Sequence, residues 1–374
     1  MNYLKDISKD DLRGKRVIVR ASLNVPVEGG VVIDTFRIRK ALPTIQFLSD
    51  AGARVIIVGH IGRNIDETLR PVANEMKKVF SNLIFVQEGV GEHAETVISG
   101  MNDGDIILLE NLRQNEGETK NEETFTKAVA SLGDMYVNDA FSVCHRTHAS
   151  IVGVPTLLPS YAGLLLQEEM EHLSGALNPP SPSLAIIGGA KFETKEPLIK
   201  ELIERYDNVF VGGALANDIF LTRGFEVGRS LVSDSRPSDD VLLHKKVVAP
   251  NDVVVEDSNG NVRTITPEEV TNDEKIVDVG PHSIKTITPL IRDAKYILWN
   301  GPMGLYEGGF DEWTRALAKE IANSEAQTIV GGGDTIAAIE EENLTEQFTF
   351  ISTGGGAMLE YLTGGTLPGL EVLQ

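Results

Sequence analysis

Residues 328–335 read Thr-Ile-Val-Gly-Gly-Gly-Asp-Thr, a β-branched apolar run that breaks into three glycines and then a short polar pair. A run of this kind followed by glycines reads as a buried strand leading into a turn and a helix. The pattern recurs along the chain. Leu184–Ile187 (LAII) opens into Gly188-Gly189-Ala190-Lys191, Asn208–Val211 (NVFV) into Gly212-Gly213-Ala214, Tyr296–Trp299 (YILW) into Asn300-Gly301-Pro302-Met303-Gly304, and Phe348–Ser352 (FTFIS) into Thr353-Gly354-Gly355-Gly356. Earlier runs are Arg16–Arg20, Arg54–Val58, Leu83–Val86, Ile106–Leu109 and Met135–Val137, and Val253–Val255 lies later. Helix-like stretches such as Ile38–Ala51, Asn121–Leu132 and Glu193–Tyr206 separate them. Continuous apolar strands alternating with helices indicate parallel sheets covered on both faces. Eleven such runs are too many for one compact sheet. The expected fold is therefore α/β, with two doubly wound parallel-sheet (Rossmann-like) domains joined by a hinge. A single closed β/α barrel is the competing architecture. The segment Leu173–Ser183 (LSGALNPPSPS), rich in Pro, Ser and Gly, divides the chain into 1–172 and 173–358.

The rest of the composition narrows the function. The chain has 374 residues, of which 41% are hydrophobic, enough for two cores. Its single cysteine, Cys144, excludes a disulfide framework and a cysteine-rich metal site, and a buried, inert thiol is expected there. No apolar run has the length of a membrane span, and Met1–Leu12 is charged rather than signal-like, so a cytoplasmic protein without a membrane partner is expected. The net charge of −21 opposes nucleic-acid binding. The charge is uneven: residues 1–165 hold 18 Lys/Arg against 21 Asp/Glu, whereas residues 166–374 hold 16 against 34. No heptad stripe marks an oligomer, so a monomer is expected.

In open α/β sheets, ligands bind beyond the carboxyl ends of the strands, and the residues at those positions differ between the halves. The first half places Arg20, Ser22 and Asn24 after one strand and His60-Ile61-Gly62-Arg63 after the next. Glu110-Asn111-Leu112-Arg113 and Asn138-Asp139-Ala140 follow two more, the latter running on to His145-Arg146-Thr147-His148, and Arg37 precedes a helix. Several guanidinium groups at one sheet edge suit a ligand carrying both phosphate and carboxylate. The second half offers the glycine loops with Lys191 and Lys195. Such loops let backbone N–H groups approach phosphates, and the helix starts that follow favour negative charge. No G-x-x-x-x-G-K-[ST] and no G-x-G-x-x-G is present, which argues against a P-loop ATPase and a nicotinamide dehydrogenase. A small acid phosphate on one domain and a nucleotide on the other imply transfer between the two ligands.

Taken in order, these motifs resemble those of the phosphoglycerate kinase family over essentially the whole chain. They are Arg20-x-x-x-Asn24-Val25-Pro26, Thr35-Phe36-Arg37-Ile38, His60-Ile61-Gly62-Arg63, Leu109–Arg113, Tyr136–Phe141 with His145-Arg146, Gly188–Lys191 with Lys195, Trp299–Gly304, Gly331–Thr335 and Ser352–Ala357. The resemblance implies reversible phosphoryl transfer between ATP and the carboxylate of 3-phosphoglycerate, giving ADP and 1,3-bisphosphoglycerate, with Mg²⁺. It implies that Ser22, Asn24, Arg37, His60, Arg63, Arg113 and Arg146 hold the acid substrate. Lys191, Lys195, Asn300 and Gly332–Thr335 would hold the nucleotide phosphates, with Asp334 at the magnesium, Glu307 at the ribose, and Gly212 and Gly213 against the adenine. Arg37, Lys195 and the helix starts at Gly333 and Gly356 would stabilise the transferring phosphoryl group. The tail 359–374 would return to the first domain. A carboxylate nucleophile is ionised at neutral pH and needs no general base, so alignment and charge stabilisation carry the chemistry.

The chain departs from that family's pattern in four places. Ser22 stands where the family motif R-V-D-x-N-x-P has its aspartate, an acceptor for the substrate hydroxyl; serine is shorter and neutral, so that contact is weakened or passes through water. Asn64 replaces a proline, Gln114-Asn115 replace Phe-His, and Phe350 replaces a histidine; these three read as structural.

Overall fold

The computed structural model describes residues 1–190, 192, 195–234 and 237–373. The chain separates into two units, Met1–Glu171 with Thr366–Gln374, and His172–Gly365. The expected linker is partly helical, since the helix Leu164–Ala176 contains the boundary. The returning tail is shorter than 359–374, because the helix Gly355–Gly364 stays whole within the second unit.

The strands, in chain order, are β1 (Arg16–Ala21), β2 (Val27–Glu28), β3 (Val31–Val32), β4 (Arg54–Val58), β5 (Ile84–Val86), β6 (Ile106–Leu109), β7 (Met135–Asp139) and β8 (Ser160–Ala162) in the first unit. The second unit contributes β9 (Ser183–Ile187), β10 (Asn208–Val211), β11 (Val247–Val248), β12 (Val253–Glu256), β13 (Val262–Ile265), β14 (Lys275–Val279), β15 (Tyr296–Asn300), β16 (Gln327–Gly331) and β17 (Phe350–Ile351). The first unit forms a parallel sheet of order β5-β6-β4-β1-β7-β8, and the second a parallel sheet of order β11-β10-β9-β15-β16-β17. Both sheets are open, which excludes the closed barrel. Each sheet starts at a central strand, builds one wing, then crosses to build the other; the first differs in that β6 inserts between β4 and the edge strand β5.

Val253–Val255 does not join the parallel sheet. It pairs antiparallel with β13 and β14 in a separate three-stranded sheet of order β13-β12-β14. An apolar run does not by itself reveal its partner, and the exposed β13 reads as polar. The short strand β8 also lacks an apolar signature. The central strands β1, β4, β6, β7, β9 and β15 are buried almost throughout, as helices on both faces require.

The tail is fastened to the first unit by three buried leucines, Leu367, Leu370 and Leu373. Gly369 N–H donates to Cys144 O (2.8 Å), and Asn2 N–H donates to Leu373 O (3.1 Å). Cys144 itself is buried, and burial pushes its thiol up to about 12. A Cβ on Gly369 would lie 2.7 Å from the Ile151 side chain and 3.0 Å from Cys144 Cα. Gly369→Ala is therefore expected to cost about 1–3 kcal/mol through overpacking. Urea denaturation should show a lower midpoint, and an unchanged midpoint would contradict the tight seating of the tail.

Candidate functional site

In each sheet two adjacent parallel strands send their following loops to opposite wings, and a crevice opens there at the carboxyl edge. The crevice lies between β1 and β7 in the first unit and between β9 and β15 in the second.

In the first unit the crevice is basic and closely tied. Arg20, at the end of β1, is fully buried. Its guanidinium donates to Ser150 Oγ (2.9 Å), to Ala21 O (2.6 Å) and, through Nη2, to His60 Nδ1 (2.8 Å). Ser150 Oγ–H donates in turn to Glu118 Oε1 (2.6 Å), so a buried carboxylate faces the buried guanidinium through one hydroxyl. Arginine can only donate, so His60 Nδ1 accepts, and the ring proton of neutral His60 resides on Nε2. Burial, then the charges of Arg20 and Arg113, hold His60 well below its ordinary pKa. His60 is thus a neutral Nε2–H donor at physiological pH.

The neighbouring loops are laced to this centre. Asn24 Oδ1 accepts from Gly62 N (2.8 Å), Arg37 donates to Asn24 O (2.6 Å), and Arg113 donates to Gly62 O (2.5 Å). Asn111 Nδ2 donates to Ile61 O and Glu67 O (both 2.9 Å), and Glu110 accepts from Leu69 N and Thr68 Oγ1, which pins residues 61–69. Arg113 is held down by burial and by Arg20, with Arg146 and Arg63 adding to the repulsion, so these four guanidinium groups feel one another. Arg113 Nε is a buried donor with no protein partner. Concentrated positive charge and a spare buried donor fit an anion carrying phosphate and carboxylate. Arg63 and Arg146 are exposed at the rim.

Ser22 meets a different neighbour from the one expected of an acid-binding position. Its Oγ is 2.6 Å from Ser142 Oγ, in the turn after β7. Ser142, Glu118 and Ser150 lie in no loop-end arginine or glycine motif, so the sequence carries no local signal for them.

In the second unit the crevice is lined by backbone. Gly188, after β9, and the Gly301-Pro302 turn, after β15, approach so closely that a Cβ on Gly188 would sit 2.0 Å from Pro302 O. Gly301 has φ +96°, and its amide donates to Thr335 Oγ1 (3.0 Å), while Trp299 Nε1 donates to Gly301 O (3.0 Å). Thr335 is thereby committed to holding this turn. The helices Gly333–Glu341 and Gly355–Gly364 begin beside one another, with a Cβ on Gly355 reaching to 2.9 Å from Gly332 N. Asn300 Nδ2 is buried there with no protein partner. A Cβ on Gly333 or Gly356 would meet open space. Two helix starts, an unpartnered buried donor and open glycines make a phosphate cradle.

Beside it lies a cavity of about 760 Å³ whose lining includes Gly189, Gly213, Pro302, Met303, Glu307 and Asp334. That volume suits a nucleoside-sized ligand. Gly213 lines it, but Gly212 does not: Gly212 is buried, and a Cβ there would lie 2.6 Å from Met303 Sδ. Lys195 precedes the helix Glu196–Arg205, and its Cε is 3.7 Å from a Cβ built on Gly189. Burial brings its ammonium down to about 8. Lys191 lies outside the described residues. Asp334 is raised by burial and by the charge of Glu307, two carboxylates that a cation would relieve. No group of three His, Cys, Asp or Glu side chains among the described residues could cage a metal alone. Phe350, the last of the divergent positions, is buried and stacks on His172, with ring centroids 4.5 Å apart.

A basic crevice on one α/β unit, and on the other a cavity beside two helix starts with open glycines, suit a phosphotransferase. The phosphoglycerate kinase family model matches residues 4–365. The chain is 42% identical to the phosphoglycerate kinase of Dictyoglomus turgidum, covering 99% of this chain and 98% of that one. It superposes on the phosphoglycerate kinase of Coxiella burnetii with a TM-score of 0.84 at 36% identity, covering 99% and 98%. For the enzyme of Pyrococcus horikoshii the TM-score is 0.88 at 30% identity, covering 100% and 98%. The chain belongs to the phosphoglycerate kinase family and is a kinase, whose reaction is reversible phosphoryl transfer between ATP and the carboxylate of 3-phosphoglycerate. No helix among the described residues is long and apolar enough to cross a membrane.

The histidine chemistry has a measurable consequence. As pH falls below 6.5, the unfolded chain binds a proton that folded His60 refuses, so stability is lost from that point downward. Urea midpoints should drop between pH 7 and pH 5, and the drop should shrink in His60→Gln. An equal drop in both proteins would contradict a neutral His60.

Proposed function

We propose that the first unit holds 3-phosphoglycerate and the second holds Mg-ATP or Mg-ADP. The observation that carries this reading is the contrast between the two crevices: guanidinium groups and a neutral histidine at one, backbone amides and glycines at the other. In the first, Asn24, His60, Arg63, Arg113 and Arg146 grip the acid phosphate, with His60 donating through Nε2. Ser22 lies at the floor of this site. Arg37, anchored on Asn24 O, is the group that stabilises the attacking carboxylate and the charge on the transferring phosphoryl group.

In the second unit, Asn300, Lys195 and the amides of Gly332, Gly333 and Gly356 receive the nucleotide phosphates, Gly213 lies against the base, and Glu307 takes the ribose hydroxyls. Lys191 and Thr335 complete the expected set, Thr335 by holding the Gly301 turn. Gly212 acts one layer deeper, by giving room to Met303. Asp334 is suited to a magnesium ion arriving with the nucleotide, since Mg²⁺ takes one or two carboxylates and otherwise phosphate oxygens and water. When bound, the ion neutralises phosphate charge. The acid's carboxylate is already ionised, so this chain supplies orientation and positive charge rather than a base. A monomer in the cytoplasm is the setting this reading assumes.

An assay coupling 3-phosphoglycerate and Mg-ATP to 1,3-bisphosphoglycerate formation tests the reading. Turnover is expected; nucleotide binding without turnover would contradict it. Arg37→Ala is expected to lower kcat by roughly 100-fold or more while changing nucleotide KM little, in line with the loss of one transition-state donor. An unchanged kcat would remove Arg37 from this role.

A further inference from the structure

We propose that Ser142 is a specificity-determining residue of the acid site, offering its hydroxyl proton to an acceptor oxygen on the middle carbon of a short acid phosphate. This rests on the assignment of the first unit's crevice to the acid.

The argument begins with proton bookkeeping at the crevice. Ser22 follows β1 and Ser142 lies in the turn Phe141–Val143 after β7, the two strands whose loops diverge. Their Oγ atoms are 2.6 Å apart, so one hydroxyl donates to the other. Ser22 is 1% exposed, and this contact is its only side-chain hydrogen bond among the described residues. If Ser142 donated to Ser22, the Ser22 proton would be buried without an acceptor, which is costly. Ser22 therefore donates and Ser142 accepts. The proton of Ser142, which is only partly buried, is then left to point elsewhere.

The turn that holds Ser142 is rigid. Asn138 Oδ1 accepts from Ala140 N (3.0 Å), Val143 N donates to Ala140 O (3.1 Å), and Arg146 N donates to Val143 O (2.9 Å). The tail braces its far side through Gly369 and Cys144. A hydroxyl fixed at a sheet's divergent strand ends, three and four residues before His145 and Arg146, is a positioned donor rather than a solvated one. In 3-phosphoglycerate the carbon between the carboxylate and the phosphorylated carbon bears a hydroxyl, whose oxygen can accept. The ligand class is a three-carbon acid phosphate with a hydroxyl or carbonyl oxygen at that carbon. An acid lacking that oxygen leaves the Ser142 proton unmatched and should bind more weakly.

The test compares 3-phosphoglycerate with its deoxy analogue 3-phosphopropionate, in the full chain, for the parent, Ser142→Ala, Ser22→Ala and the double variant. Ser142→Ala is expected to raise KM for 3-phosphoglycerate about 3- to 10-fold and to leave KM for the deoxy acid and for ATP unchanged. Ser22→Ala should raise KM for 3-phosphoglycerate less, and should add little once Ser142 is alanine, because it acts by aiming that hydroxyl. An equal rise for both acids, or no rise for either, would overturn the proposal, the former marking Ser142 as structural only. Calorimetric binding of the two acids gives the same comparison without turnover. Binding with the expected discrimination but no turnover would sink the kinase assignment and keep Ser142's role; binding of neither acid would overturn both.

Discussion

Parallel pairing of two central strands whose exits part company is the constraint on which the rest depends. Between β1 and β7, and again between β9 and β15, the register brings two loop starts side by side and then sends the chain to opposite wings. The pairing opens a crevice at the carboxyl edge, lined by the residues that follow those strands. In the first unit those are Ser22 and Asn24 on one side and the Ser142 turn on the other. In the second they are Gly188-Gly189 and Gly301-Pro302. The same backbone geometry thus yields two sites whose chemistry is set by only a few side chains.

The two sites solve opposite electrostatic problems. The first unit's crevice, the proposed acid site, gathers several guanidinium groups that would repel one another without compensation. Glu118 supplies it from beneath, fully buried and linked through Ser150 to Arg20. Burial, and then the charge of Arg20, keep His60 neutral, which leaves it an Nε2–H donor that adds no charge. The second unit lies in the acidic part of the chain, where bare anions are poorly attracted. There, in the proposed reading, aligned backbone N–H groups at two helix starts and Lys195, whose ammonium is brought down to about 8 by burial, would supply the attraction. Asp334 is raised by burial and then by the charge of Glu307, an arrangement that suits the proposed magnesium of the nucleotide.

Much of this was legible in the sequence, for physical reasons that differ by residue. Buried parallel strands such as Ile106–Leu109 announce themselves because both faces are apolar, and glycines such as Gly188 and Gly301 because a side chain there would collide with the facing backbone. Val253–Val255 was misread as part of the parallel sheet, because an apolar run says nothing of strand direction. The hidden layer was harder to see. Ser142, Ser150 and Glu118 act through distance to a partner more than 30 positions away, or more than 100 for the serine pair, and such contacts leave no local pattern. Gly212 carried the same signal as Gly213, yet only the fold tells the residue that lines the cavity from the one that makes room for Met303.

Hydrogen–deuterium exchange with each ligand added separately addresses the central claim, that one crevice takes the acid and the other the nucleotide. The account expects 3-phosphoglycerate to protect amides around residues 20–24, 60–63 and 140–146 and leave residues 188–190 and 300–307 unchanged, with Mg-ADP giving the reverse. Protection of a single crevice by both ligands, or of neither crevice by the acid, would contradict it.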